Sequence, residues 1–188
     1  MSSSRNALLV QANSYAMLHG LYFGLLGALS VALFRIGLDR PVAMLAAYAV
    51  TLASPVVAVW LTRRFRDEVT APGEGFSYTR AYTHSLLMGI YSSLVIALFV
   101  LVYFVWFDKG STVDAYARQL AQMTTPETAA MMRQMTGGLG TDEVVRVLRE
   151  MKPADFAYPF ISTNIFVAPV MSLLVAAFSW RRPSLVNN

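Results

Sequence analysis

The chain has no cysteine, so a disulfide, a thiolate metal site and a thiol nucleophile are all excluded. Charge is scarce as well. Only 14% of its 188 residues are charged, against about 25% in soluble domains. Motifs of chemistry are missing too. There is no Ser-His-Asp set, no HExxH and no DxxD arrangement. Gly73-Glu74-Gly75 lacks the strand, spacing and lysine of a phosphate cradle, and reads as a turn. No residue is assigned a catalytic role, no metal site or cofactor is expected, and the chain is read as a non-enzyme.

Hydrophobicity fills the space that charge leaves. Apolar residues make up 56% of the chain and mean hydropathy is +0.49. Residues 6–34, 41–62, 81–107 and 156–180 contain no Asp, Glu, Lys or Arg. A helix rises about 1.5 Å per residue, so roughly 20 apolar residues cross a hydrocarbon core of about 30 Å. In lipid every backbone N–H and C=O must be satisfied within the segment, which makes these runs helices. The fold class is an all-α membrane protein in one four-span domain. Its transmembrane helices lie at about 14–36, 41–62, 83–107 and 157–180, with an amphipathic helical insert at 108–155. The first run is too long for the 7–15-residue core of a cleaved leader and is read as a span.

Charge distribution predicts the orientation. Arg5, the 63–80 connection and Arg181-Arg182 together hold seven basic and three acidic residues. The other side carries Arg35, Asp39 and Arg40, then six basic and seven acidic residues in 108–155, a balance of zero. Short cytoplasmic loops are enriched in Lys and Arg, so both termini are expected inside and the insert outside. The net charge of +4 therefore reads as topology, not nucleic-acid binding. Trp60, Trp106 and Trp180 fall at predicted span ends, the headgroup level that indole favours. Arg63 and Arg64 are placed to pair with Asp67 and Glu68 at i,i+4.

Small residues suggest how the spans pack. Gly20, Gly24 and Gly27 share a face, Ala43, Ala46, Ala47 and Ala53 mark the second span, and Gly89 the third. Such faces allow close backbone approach, within one bundle or in a homo-oligomer. Pro55 and Pro169 lie inside spans and should bend them, while Pro159 is placed in the first turn of the fourth. Asn164, with Ser162 and Thr163, can satisfy a carbonyl freed by the second kink or bond a neighbouring helix. A broken-helix binding site is the alternative.

The insert shows three amphipathic segments. One comes after Gly110, capped by Ser111 or Thr112, with Val113, Tyr116, Leu120 and Met123 on one face. The next starts at Thr125-Pro126-Glu127 and stops at Gly137-Gly138; the last runs from Thr141 to Pro153. Asp108 and Asp155 read as helix-end residues. Methionine is common at adaptable binding surfaces, so Met123, Met131, Met132 and Met135 form the candidate surface for a protein partner. Packing on the bundle or on membrane lipid is the plainer use of the same faces.

The candidate intramembrane polar site is His19, His84 and Asn164. The two histidines lie early in parallel spans, hence at similar depth. Ionisable groups within a membrane are functional candidates by default. A facing pair can bind a metal, ligate a haem or relay protons. The plainer reading has each histidine reach headgroup water, or bond another helix.

The stretch 73–82, GEGFSYTRAY, enters a glycine-containing span, and Trp106-Phe107-Asp108 and an outward insert come after it. In this order the chain resembles a family of small four-helix inner-membrane proteins of the Bacteroidetes group, catalogued as a domain of unknown function. That resemblance implies a bacterial cytoplasmic membrane and supplies no activity, cofactor or site residue. The leading functional expectation is a non-enzymatic subunit or accessory of an envelope assembly. Small-molecule, ion or cofactor binding or transport within the bundle is the alternative.

Overall fold

A computed structural model describes residues 2–122 and 126–183, without the side chains of 2–8, 126, 128, 129 and 132. Helix α1 spans Ser2–Gly37, α2 Pro41–Val69 and α3 Tyr78–Tyr103, which runs on through a π-turn at Phe104–Asp108. The insert holds α4 (Ser111–Gln122), α5 (Pro126–Met135) and α6 (Thr141–Glu150), and α7 (Pro153–Ser179) closes the bundle. Four helices are long and apolar enough to cross a membrane: Leu9–Gly37, Pro41–Val69, Tyr78–Asp108 and Pro153–Ser179. This is a multi-pass membrane protein. The helices outrun the uncharged stretches because arginine and carboxylate side chains can leave the hydrocarbon while the backbone stays helical.

Helix α1 packs on α2 and α3, and α3 on α7, while α2 meets α7 less extensively. Glycine explains the closest seam. A Cβ on Gly24 would lie 2.6 Å from Val95 Cβ, and one on Gly20 2.5 Å from Tyr91 Cβ. The shared glycine face is therefore used inside the bundle, against α3. On α2, Ala47 is buried but Ala53 faces outward. Ser30 on α1 bonds Thr51 Oγ1 at 2.7 Å. Pro55 removes the amide that would serve the Thr51 carbonyl, and the Ser54 hydroxyl donates to it at 2.7 Å instead. Pro169 and Pro159 both lie within α7, which begins earlier than predicted, with Pro153 in its first turn.

The terminus-bearing end is locked by arginines. Arg63 donates through Nε and Nη2 to the Phe178 carbonyl at 3.0 and 2.8 Å, and Arg66 to the Ser179 carbonyl at 3.2 Å. These guanidinium groups satisfy the last carbonyls of α7 and complement its dipole. Arg64 pairs with Glu68 as expected, at 2.8 Å. Arg63 does not pair with Asp67, which takes Arg66 at 2.8 Å; the α7 carbonyls are the nearer acceptors. Ser77 caps α3, accepting from the Arg80 amide. The turn before it delivers Phe76 into the core. Phe76 is held there by paired backbone bonds with Arg181 at 2.8 and 3.0 Å.

At the insert end, Asp108 caps α4, accepting from the amides of Gly110 and Thr112 at 3.0 and 2.9 Å. The cap is thus the aspartate before the glycine, while Ser111 and Thr112 donate their hydroxyls to it. Val113 and Leu120 are buried beneath α4. Glu143 accepts from the Gly140 amide at the start of α6, and Asp155 from the Lys152 amide at the start of α7. Trp60, Trp106 and Trp180 are exposed on the bundle surface at span ends, where an interfacial aromatic belt belongs.

Candidate functional site

The glycine seam brings the two histidines together. His19 Nδ1 lies 3.0 Å from His84 Nε2. His84 Nδ1 in turn lies 3.2 Å from Thr62 Oγ1 on α2. Phe65, one turn along α2, stacks on the His84 ring at 4.4 Å and 12°, and Tyr15 meets His19 edge-on at 6.0 Å. His19 is 3% exposed and His84 not exposed at all. His84 does not reach headgroup water as a turn-from-the-interface position implies, because Phe65 and Thr62 cover it from α2.

Two proton arrangements satisfy this chain. In one, His19 Nδ1–H donates to His84 Nε2 and His84 Nδ1–H donates to Thr62. In the other, Thr62 donates to His84 Nδ1 and His84 Nε2–H donates to His19. Three helices are thereby tied by one polar string. The nitrogen separation is that of a hydrogen bond. Trans ligation of a metal, with bonds of about 2 Å each, would hold the two nitrogens about 4 Å apart. Among the described residues no cluster of three or more His, Asp or Glu forms. A side cavity of about 370 Å³ reaches His19, with Tyr15, Tyr22, Trp60, Arg64 and Glu68 around it.

Asn164 is not part of this site. Its amide donates to the Gly89 carbonyl on α3 at 2.9 Å, so it joins α7 to α3 and does not repair the Pro169 kink. Thr62 and Phe65 were not among the sequence candidates. Only their position one turn apart at the end of the second span hinted at a shared face.

The methionine surface is partly visible. Met131 is 64% and Met135 82% exposed. Met123 lies outside the described residues, as does the side chain of Met132. Helix α6 packs on α4, tied by Arg149–Asp114 at 2.8 Å.

A larger cavity, about 750 Å³, opens at the insert end between α1, α3 and α7. Val31, Ala32, Phe99, Val100 and Phe160 are among its apolar lining, and Arg35, Arg40 and Tyr103 among its polar lining. Phe104 stacks on Phe156 at 4.1 Å and 5°, closing one side. Arg35 reaches Asp39 at 2.9 Å and the Ser111 hydroxyl at 3.1 Å, while its buried Nε has no partner. Arg118 takes the other Asp39 oxygen at 2.8 Å. Hydrogen bonds from Arg118 and then Arg35 hold the Asp39 carboxyl below the usual range. The aromatic residues of three separate spans converge here, which sequence spacing does not reveal, and the π-turn that shapes the wall carries no recognised signal. π-turns are frequent at functional sites.

Residues 18–181 match the model of a family described as protein of unknown function (DUF4199), and the chain belongs to that family. No curated protein and no solved structure matches the chain.

Proposed function

We propose that this DUF4199 protein is a non-enzymatic protein of a bacterial cytoplasmic membrane that holds a small molecule within its helix bundle. The observation that carries the reading is the cavity of about 750 Å³ walled by three spans, within the range of roughly 300–1,000 Å³ typical of ligand sites. The histidine pair is a poorer candidate, since both nitrogens of His84 and the Nδ1 of His19 are already occupied within the pair and by Thr62. Native mass spectrometry of protein released gently from its own membrane tests this. A small adduct is expected, and Ala32→Trp, which fills the cavity from α1, should remove it. A bare protomer in the wild type would sink the reading.

The basic bias of the terminus-bearing end supports cytoplasmic termini. Because the chain lacks cysteine, single replacements report topology directly. Gln134→Cys should react with an impermeant maleimide from outside, and Arg182→Cys only after lysis. The reverse pattern would invert the orientation.

A second reading, an accessory role in an envelope assembly, is favoured by the exposed Met131 and Met135 on α5. Charged replacements of both should abolish co-purification of a protein partner, and unchanged co-purification would count against it.

A further inference from the structure

The cavity at the insert end is basic at one end and hydrocarbon over the rest. Arg35 closes α1 and Arg40 immediately precedes α2, so both stand where spans end and headgroups begin. Val31 is one turn deeper on α1, about 6 Å along the helix, and Phe99, Val100 and Phe160 continue the apolar wall. Polar end at the headgroup level and apolar end in the hydrocarbon is the arrangement of an amphiphile seated parallel to the spans.

The rim selects the sign of the headgroup. Arg35 and Arg40 both line the cavity; Asp39 beside them is shared by Arg35 and Arg118, and the Asp108 carboxylate is taken up by Ser111, Thr112 and the amides that start α4. The Arg40 side chain makes no hydrogen bond or ion pair among the described residues, and the Nε of Arg35 is a buried donor without an acceptor. A buried donor left unpaired is costly, and an anionic oxygen satisfies it best. The Tyr103 hydroxyl, 3.5 Å from Thr112 Oγ1, adds a neutral polar group to the rim. A cavity of about 750 Å³ has room for one acyl chain.

On the reading that the bundle holds a small molecule, we propose that the molecule is a single-chain anionic amphiphile, a long-chain carboxylate. Its headgroup sits on Arg35 and Arg40, and its tail lies between α1, α3 and α7 among Val31, Phe99 and Phe160. The π-turn and the Phe104–Phe156 stack form one wall of the site.

The test uses the full-length protein, delipidated in a neutral detergent, with hexadecanoate and hexadecanol as matched probes in native mass spectrometry. Hexadecanoate should be retained at one per protomer and hexadecanol far less. Arg40→Gln, which breaks no side-chain bond within the described protein, should weaken hexadecanoate about tenfold, the scale of one charge-assisted hydrogen bond. Arg35→Gln should do so as well. Equal retention of acid and alcohol, or an indifferent Arg40→Gln, overturns the anionic assignment. If Ala32→Trp still excludes both probes in that case, binding within the bundle survives. Displacement of hexadecanoate by phosphatidylglycerol, one for one, overturns the single-chain assignment. Retention of neither probe, or an adduct untouched by Ala32→Trp, overturns the assignment together with the reading beneath it.

Discussion

His19 and His84, 65 positions apart, share one hydrogen bond of 3.0 Å across the seam of α1 and α3. Close approach at Gly20 and Gly24 makes that distance available. The pair is buried, so each ring depends on the other to satisfy a nitrogen that neither lipid nor packed side chains can serve.

Replacing one histidine strands its partner, so His19→Leu and His84→Leu should each destabilise the protein by about 1–3 kcal/mol. The double variant should lose less than the sum, with a coupling on the order of 1 kcal/mol, as for interhelical bonds in membranes. Unfolding in detergent of the four-member cycle measures this. Strict additivity would show that the two rings do not depend on one another.

Gly24→Leu puts a branched side chain where even a Cβ meets Val95 Cβ at 2.6 Å. The overpacked seam should cost about 1–3 kcal/mol, read as a lowered Tm with no change in oligomeric state. A shift in oligomeric state at constant Tm would place the glycine face between protomers instead.

Arg63 holds the Phe178 carbonyl through two of its nitrogens. Arg63→Ala should cost about 1 kcal/mol, a value discounted for exposure, and raise hydrogen exchange in residues 176–183. Arg63→Lys should recover only part of the protection, because an ammonium cannot reproduce the two-pronged contact. Full recovery by lysine would mean that charge alone caps α7.

Asp39 is held below the usual carboxyl range by Arg118 and Arg35. A carboxyl depressed in the folded state stabilises above its unfolded pKa, and that contribution is lost as pH falls through the folded value. Wild type should therefore exceed Asp39→Asn in Tm at neutral pH, and the gap should close as pH drops below about 3.9. Added salt should narrow it too, since the pairs are exposed. A gap independent of pH would remove the ion pairs as its cause.

Span number, the alternation of chain direction and the three insert helices were legible in the chain because each arises from local physics. A long uncharged run must be helical in lipid, and a short charged connection must turn back. The histidines were legible as candidates, since an ionisable residue in an apolar run stands out against its neighbours.

Their meeting was decided only by tertiary structure. It depends on glycines of α1 against α3, on Thr62 and Phe65 arriving from α2, and on Asn164 turning to Gly89 instead. The amphiphile cavity is of the same kind. No local pattern brings Val31, Phe99 and Phe160 together. Arg35 reads in the sequence as a span-end charge until Asp39, Ser111 and Arg118 gather around it. Helix formation is a property of a segment, and lipid enforces it segment by segment. A cavity is a property of the space between segments, set by the small residues that draw some helices together and leave others apart.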